Sequence, residues 1–358
     1  MIKLLIVDDS ALMRRHLVGL FDKGDFEIRQ ARNGREAVDE NRTFQPDVVT
    51  LDINMPDMDG LTALSLMMAE RPVPVVMVSS LTEKGALATF EALNLGAVDY
   101  ITKPGGTISL SLAEIGSELV GKVRVAARAR VRINRPGAAG ARAPVRRSRE
   151  APDKPVARPV APRQAGDRDG LVIIGVSTGG PGTLEFVLPP LVADFPWSVL
   201  VAQHMPAAFT RPFAERLNGL CALPVVEASH PMPLEPGTIY IGKGGADMVI
   251  ARRAGKLMVL AKPEDSTFLW HPSVELMGRS VLEHFDPSRV VAVMLTGMGY
   301  DGAEAFSEIR RRGGRTIAES KETAVVFGMP AELIARDGAS LVLPAQDIAA
   351  QLNAWARR

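Results

Sequence analysis

Leu171-Val-Ile-Ile-Gly-Val-Ser-Thr-Gly-Gly-Pro-Gly182 is an apolar, β-branched run that breaks into glycines around a serine. Such a run reads as a buried strand. Gly175-Val-Ser177-Thr-Gly179 then reads as a tight turn, its glycines letting the backbone bend so that the hydroxyl stands clear of the sheet. The first N–H groups of the following helix can stabilise an oxyanion beside it. A hydrolase nucleophile needs this geometry, but glycine-rich strand-to-helix turns also bind phosphates. The rest of the chain decides between them.

At 358 residues the chain is long enough for two domains. A hydrophobic content of 46% with 23% charged residues places it among ordinary globular proteins. The net charge of +1 points to no class of partner. Cys221 is the only cysteine, which excludes a disulfide framework and a cysteine metal cluster and fits a reducing compartment. Met1-Ile-Lys-Leu-Leu-Ile-Val-Asp-Asp9 is too short in apolar length for a signal peptide, and no apolar run reaches membrane-spanning length. The expectation is a cytoplasmic protein with no membrane insertion.

Working back from Leu171, residues 124–168 are rich in Arg, Pro, Ala and Gly and lack aromatics. Such a segment cannot bury a core and reads as a solvated tether. Without interleaved aromatics for base stacking, a nucleic-acid role is not favoured. The expected boundaries are therefore a first domain at 1–122, a linker at 123–168 and a second domain at 169–358. In the first, apolar runs at Lys3–Val7, Asp47–Leu51, Val73–Val78 and Val98–Thr102 alternate with amphipathic stretches, which predicts a doubly wound parallel sheet. In the second, runs at Ser198–Gln203, Gly237–Ile241, Val290–Leu295 and Arg315–Ala318 alternate with helical stretches in the same way. There Met248–Ile250 and Lys256–Leu260 flank Arg252-Arg-Ala-Gly255 as a β-hairpin. Both domains are α/β.

Five residues of the first domain fall at successive strand ends. Asp8 and Asp9 close the first strand, Asp52 the third, Ser79 the fourth and Lys103 the fifth. In a doubly wound sheet these meet in one crevice. Crowded carboxylates favour a hard divalent cation with oxygen ligands, and an aspartate there can attack a phosphoryl group. Lys103 can pair with a phosphoryl oxygen and Ser79 can hydrogen-bond to another. For a single Asp, turn formation would be the better explanation; for this set it is not. The block resembles the receiver domain of bacterial response regulators over its whole length. The resemblance implies a flavodoxin-like, five-stranded parallel sheet, with Asp52 as phosphoacceptor and Mg²⁺ held by Asp8, Asp9 and Asp52. It also implies that Ser79 and Lys103 sense the phosphoryl group and that Tyr100 is the aromatic switch residue.

In the second domain Ser177 needs a base. His204 closes the apolar strand Ser198–Gln203 at the same level of the sheet. Asp301, after the buried run at 290–295, can orient the imidazole; it can also cap the helix that follows it. The order Ser177, His204, Asp301 differs from that of α/β-hydrolases. Gly-Val-Ser-Thr-Gly-Gly-Pro181, Ala-Gln-His-Met-Pro206, Leu-Thr-Gly-Met-Gly-Tyr-Asp-Gly-Ala303 and Val-Val-Phe-Gly-Met-Pro330 occur in that order. Together they are similar to the catalytic domain of the CheB family of chemotaxis protein-glutamate methylesterases.

The resemblance implies a phosphorylation-activated serine hydrolase that removes methyl esters from chemoreceptor glutamates and deamidates receptor glutamines. It implies Ser177 as nucleophile, His204 as base, Asp301 as orienting acid, and Thr178 and Met298 as oxyanion neighbours, with no cofactor in the esterase site. The partners it implies are methylated chemoreceptors and a histidine kinase of the CheA type. The family pattern is departed from at Gly242–Asp247, Trp270–Glu275 and Glu319–Lys321, which leaves the protein substrate open. Two alternatives stand beside this reading: a non-enzymatic regulator whose second domain is a binding module, and the esterase of a non-chemotaxis array. A nucleotide-binding domain using the Ser177 turn is disfavoured, because no Gly-x-Gly-x-x-Gly follows the Leu171–Val176 strand and no Gly-Lys-Ser/Thr is present.

Overall fold

Strand-forming apolar runs and amphipathic helices alternate through both halves of the computed structural model, which describes residues 1–80, 82–103, 108–129 and 170–357. The first half contains β1 (Ile2–Val7), α1 (Ala11–Leu20), β2 (Phe26–Ala31), α2 (Gly34–Thr43), β3 (Val48–Asp52) and α3 (Gly60–Glu70). It continues with β4 (Val75–Ser79), α4 (Glu83–Leu95), β5 (Asp99–Thr102) and α5 (Ile108–Ala126). The strands form one parallel sheet in the order β2-β1-β3-β4-β5. The expected flavodoxin-like topology is therefore present. α1, α2 and α3 begin at Ser10, Asn33 and Asp59, whose side chains accept N–H bonds from their first turns.

α5 runs further than composition suggested. Val123 and Ala126 are buried against the sheet with Leu17, Phe21 and Leu119, so the first residues of the expected 123–168 linker are helical. The remainder of that linker, from 130 on, lies outside the described residues.

The second half opens with β6 (Leu171–Val176), α6 (Gly180–Val187), β7 (Ser198–Gln203), α7 (Ala207–Leu220), β8 (Val225–Ala228), β9 (Met232–Pro233) and β10 (Ile239–Gly242). Then come β11 (Asp247–Arg253), β12 (Lys256–Lys262), α8 (Val274–His284), β13 (Val290–Met294) and α9 (Ala303–Arg311). β14 (Arg315–Glu319), α10 (Met329–Ala335), β15 (Leu341–Leu343) and α11 (Ala345–Ala356) complete it. Seven strands form a parallel sheet ordered β15-β14-β13-β6-β7-β10-β8. Every residue of β6, β7 and β13 is buried, as expected of strands covered on both faces. β11 and β12 form the expected antiparallel hairpin, with Arg253 opposite Lys256. Ala254 and Gly255 both have positive φ, 47° and 78°, the conformation a two-residue turn demands.

The two halves share an apolar seam. α4 packs on α7, where Phe90 lies 5.3 Å from Phe213 and 6.1 Å from Phe209, centroid to centroid. Tyr100 from β5 stacks on Phe209 at 4.8 Å with planes 11° apart. A single buried cluster therefore continues from the first sheet into the second. Phe90→Ala and Phe209→Ala each delete a buried ring from this seam. Each is expected to lower stability by about 3–5 kcal/mol and to raise the radius of gyration in small-angle X-ray scattering. An unchanged radius would show that the rings do not hold the halves together.

Candidate active site

In an open parallel sheet, ligands bind beyond the carboxyl ends of the strands where the strand order reverses. In the larger sheet that point lies between β6 and β13, with β7 on the other side of β6. Gly175 is level with Met294, and Val176 with Gln203, so the three strands end together. The residues that follow them are Ser177, His204 and the 295–301 loop.

Ser177 is fixed through its backbone. Its N–H donates to Thr296 O at 2.9 Å, and its carbonyl accepts from Gly180 N at 2.8 Å and from Gln203 Nε2 at 3.0 Å. Gly179 takes φ +76° to begin α6, and a Cβ there would meet Val325 at 2.6 Å. Gly297 passes so close that a Cβ would lie 2.8 Å from the Ser177 Cβ. Thr296 Oγ1 ties the two loops by donating to Thr178 O at 2.8 Å. Among the described residues, the Thr178 and Met298 amides donate no hydrogen bond.

His204 turns Nε2 to Asp301 Oδ2 at 2.8 Å, and both side chains are almost fully buried. Its Nδ1 is buried and makes no hydrogen bond among the described residues. Asp301 does not cap the helix that follows it, because the N-cap of α9 is Gly302 and the helix has no side-chain cap. It sits instead at the start of α8. Oδ2 also accepts from Val274 N at 2.7 Å, and Oδ1 accepts from Glu275 N at 2.9 Å and Ser273 Oγ at 3.1 Å. Burial alone would raise the Asp301 pKa. The His204 bond and charge, with the Glu275 and Val274 amides, hold it below the ordinary carboxylate value. Asp301 is therefore an anion across the neutral range.

Sequence reasoning missed this support. Ser273, Val274 and Glu275 lie in a segment singled out only as a departure from a pattern, and nothing local to them announces a distant aspartate as partner. The same holds for Gln203 and Thr296, whose polar side chains at buried strand ends were the available signal.

The acidic pocket of the smaller sheet is also assembled. Asp8, Asp9 and Asp52 each bring a carboxylate oxygen within 4.8 Å of the others, with Asp8 and Asp52 buried and Asp9 exposed. Lys103 Nζ lies 2.7 Å from Asp52 Oδ2 and 2.9 Å from Asp8 Oδ2. Burial raises the Asp52 pKa, and so does Asp8; Lys103 opposes them without cancelling them. The cluster is thus short of positive charge, and its all-oxygen donor set suits a hard divalent cation. Ser79 is buried and donates to Gly85 O at 3.2 Å, in the first turn of α4. Tyr100 is buried in the seam, and burial pushes its phenol well above the usual value.

Among the described residues no helix is long and apolar enough to cross a membrane. Residues 172–352 match the CheB methylesterase family, and residues 4–113 match the response regulator receiver domain. The chain is 57% identical over 364 residues to the protein-glutamate methylesterase/protein-glutamine glutaminase 3 of Rhodospirillum rubrum, covering 100% of this chain and 97% of that one. It is 47% identical over 366 residues to the protein-glutamate methylesterase/protein-glutamine glutaminase of Caldanaerobacter subterraneus, covering 99% and 98%. The crystal structure of the Thermotoga maritima CheB methylesterase catalytic domain matches with a TM-score of 0.50 and 37% identity, covering 52% of this chain and 98% of that one. With a serine turn, a histidine and a buried aspartate converging behind a receiver sheet, the chain belongs to the CheB methylesterase family of response-regulator hydrolases.

Proposed function

We propose that the protein hydrolyses glutamyl methyl esters on methylated chemoreceptors and deamidates receptor glutamines, under control of phosphorylation at Asp52. The observation that carries the esterase reading is the His204–Asp301 bond of 2.8 Å, buried beside the Ser177 turn. Family membership removes the support for a non-enzymatic binding module.

His204 Nδ1, the ring nitrogen left over from the Asp301 bond, takes the Ser177 proton as Oγ attacks the ester carbonyl carbon. Thr178 and Met298 amides receive the developing oxyanion. The imidazolium, stabilised by Asp301, gives its proton to the departing methoxide, and methanol leaves. Water then attacks the acyl-enzyme with His204 again as base, and free glutamate is released. With a glutamine substrate the same steps release ammonia.

In the receiver, Asp8 and Asp9, with Asp52, would hold Mg²⁺, which when bound offsets negative charge around the phosphoryl oxygens. A histidine kinase of the CheA type is the expected phosphodonor. Asp52 carries the phosphoryl group, Lys103 pairs with it, and Ser79 leaves Gly85 to bond it. That move acts on α4, whose Phe90 lies in the seam. α5 reaches the esterase loops directly. A Cβ at Gly121 would lie 3.6 Å from Met298 Cε, and Val325, which presses on Gly179, packs against the receiver core. These contacts support a resting state in which the receiver covers the Ser177 mouth.

Methanol release from methylated receptor tests the chemistry. Ser177→Ala and His204→Ala should each lower kcat by several orders of magnitude, since the two act as a unit. The melting temperature should be nearly unchanged in Ser177→Ala and lowered in His204→Ala, which removes a buried ring and a donor to Asp301. Wild-type turnover in either would end the assignment.

Asp301→Asn should slow turnover by about 10⁴-fold, the cost of the same change in serine proteases. It should also destabilise, because the new NH₂ faces N–H or O–H donors whichever way it turns, at about 1–3 kcal/mol. The Asp301 pKa is lowered on folding, so its contribution is full above the unfolded carboxylate value near ~4 and fades as pH falls through the folded value. The melting difference between wild type and variant should therefore shrink in acid. A variant with normal kinetics would leave Asp301 a structural residue only.

Asp52→Ala should abolish Mg²⁺-dependent labelling by a small phosphodonor, and with it stimulation of the esterase, while basal turnover persists. Labelling that survives would move the phosphoacceptor elsewhere. A fragment starting near Arg168 should exceed the unphosphorylated full chain in methanol release. A folded but inactive fragment would overturn occlusion.

A further inference from the structure

The face of the candidate base is covered by a side chain that no step above uses. The Trp270 indole lies flat on the His204 imidazole, with centroids 5.4 Å apart and planes 1° from parallel. The Tyr300 ring meets that indole edge-on at 5.5 Å. A Cβ at Gly299 would come within 3.1 Å of it, so the indole rests against the backbone of the loop that carries Asp301.

Trp270 sits in an irregular stretch between β12 and α8, so something must hold it. That something is Asp247, fully buried at the start of β11. Its carboxylate accepts from Asp265 N at 2.9 Å and from Ser273 N at 2.9 Å, the two ends of the stretch. It also bonds Nδ1 of His271, the neighbour of Trp270, at 3.0 and 3.1 Å. One carboxylate thus gathers the whole 265–273 loop.

The Asp301 bond fixes one atom of the imidazole and leaves the ring free to tilt about the N···O line. A flat aromatic surface removes that freedom, and an ångström of misplacement at a reacting group costs about a hundredfold in rate. We propose that Trp270 is a positioning residue for His204, and that the buried Asp247–His271 pair is the clamp that sets it in place. This rests on the assignment of His204 as base.

The test uses the full chain with Mg²⁺, a small phosphodonor and methylated receptor. Trp270→Ala should lower kcat by about ten- to a hundredfold and leave KM within about twofold. Trp270→Phe, which keeps an aromatic face, should recover most of the rate. Asp247→Asn should lower kcat in the same direction. In proton NMR, the His204 ring signals should lose the indole ring-current shift in Trp270→Ala and keep most of it in Trp270→Phe. If Asp247→Asn fails to fold, the Trp270 pair and the NMR shift decide. An unchanged kcat in Trp270→Ala, a rise in KM alone, or a failure of Phe to restore the rate would each overturn the proposal. Ser177→Ala is run alongside. Turnover surviving there would sink the triad itself, whereas an inactive Ser177→Ala beside a full-speed Trp270→Ala would sink only the positioning role.

Discussion

The esterase half depends on one buried charge. Asp301 could not remain ionised in an apolar interior on its own, since an unpaired buried carboxylate protonates rather than bear the cost. It stays charged because four donors converge on it: Ser273 Oγ, the Val274 and Glu275 amides at the head of α8, and His204 Nε2. The helix terminus supplies a favourable field as well as hydrogen bonds. Moving α8 would therefore disturb the imidazole, although α8 makes no direct contribution to the chemistry. The glycines at 175 and 302, both pressed against Val274, show how tightly that helix start is packed into the strand ends.

The second constraint is the aromatic seam. Phe90 and Tyr100 come from the receiver, Phe209 and Phe213 from α7, and the four rings form part of one buried cluster. α7 begins three residues after His204. The seam and the strand end that carries His204 are thus neighbours in the chain as well as in space. On the receiver side, Ser79 bonds the first turn of α4, the helix that carries Phe90.

Much of this was legible in the residues. Alternating apolar and amphipathic runs gave both parallel sheets, and the strand-end residues fell where doubly wound topology sends them. What escaped was short or polar. Phe26–Ala31 holds Glu, Arg and Gln and is a strand because β1 pairs along its whole length. Val225–Ala228 and Leu341–Leu343 are edge strands with exposed positions, and Met329–Ala335 is a seven-residue helix opening on a proline. The site followed the same rule. Ser177, His204 and Asp301 could be picked out because each follows a buried strand. The Asp247 clamp and the Ser273–Glu275 cradle could not, because each joins segments more than fifteen residues apart through bonds that leave no periodic trace.

Under the proposed occlusion, the shared core also sets the gain of the device. A regulator whose domains touch only through water and a tether would have little to release, whereas one whose domains share buried rings has a resting state weighted by that burial. Each ~1.4 kcal/mol by which phosphorylation weakens the seam changes the ratio of covered to open molecules about tenfold. The size of Phe90, Phe209 and Phe213 therefore works as a volume control. Substitutions there would tune how sharply the enzyme distinguishes signal from silence without touching an atom of the catalytic machinery.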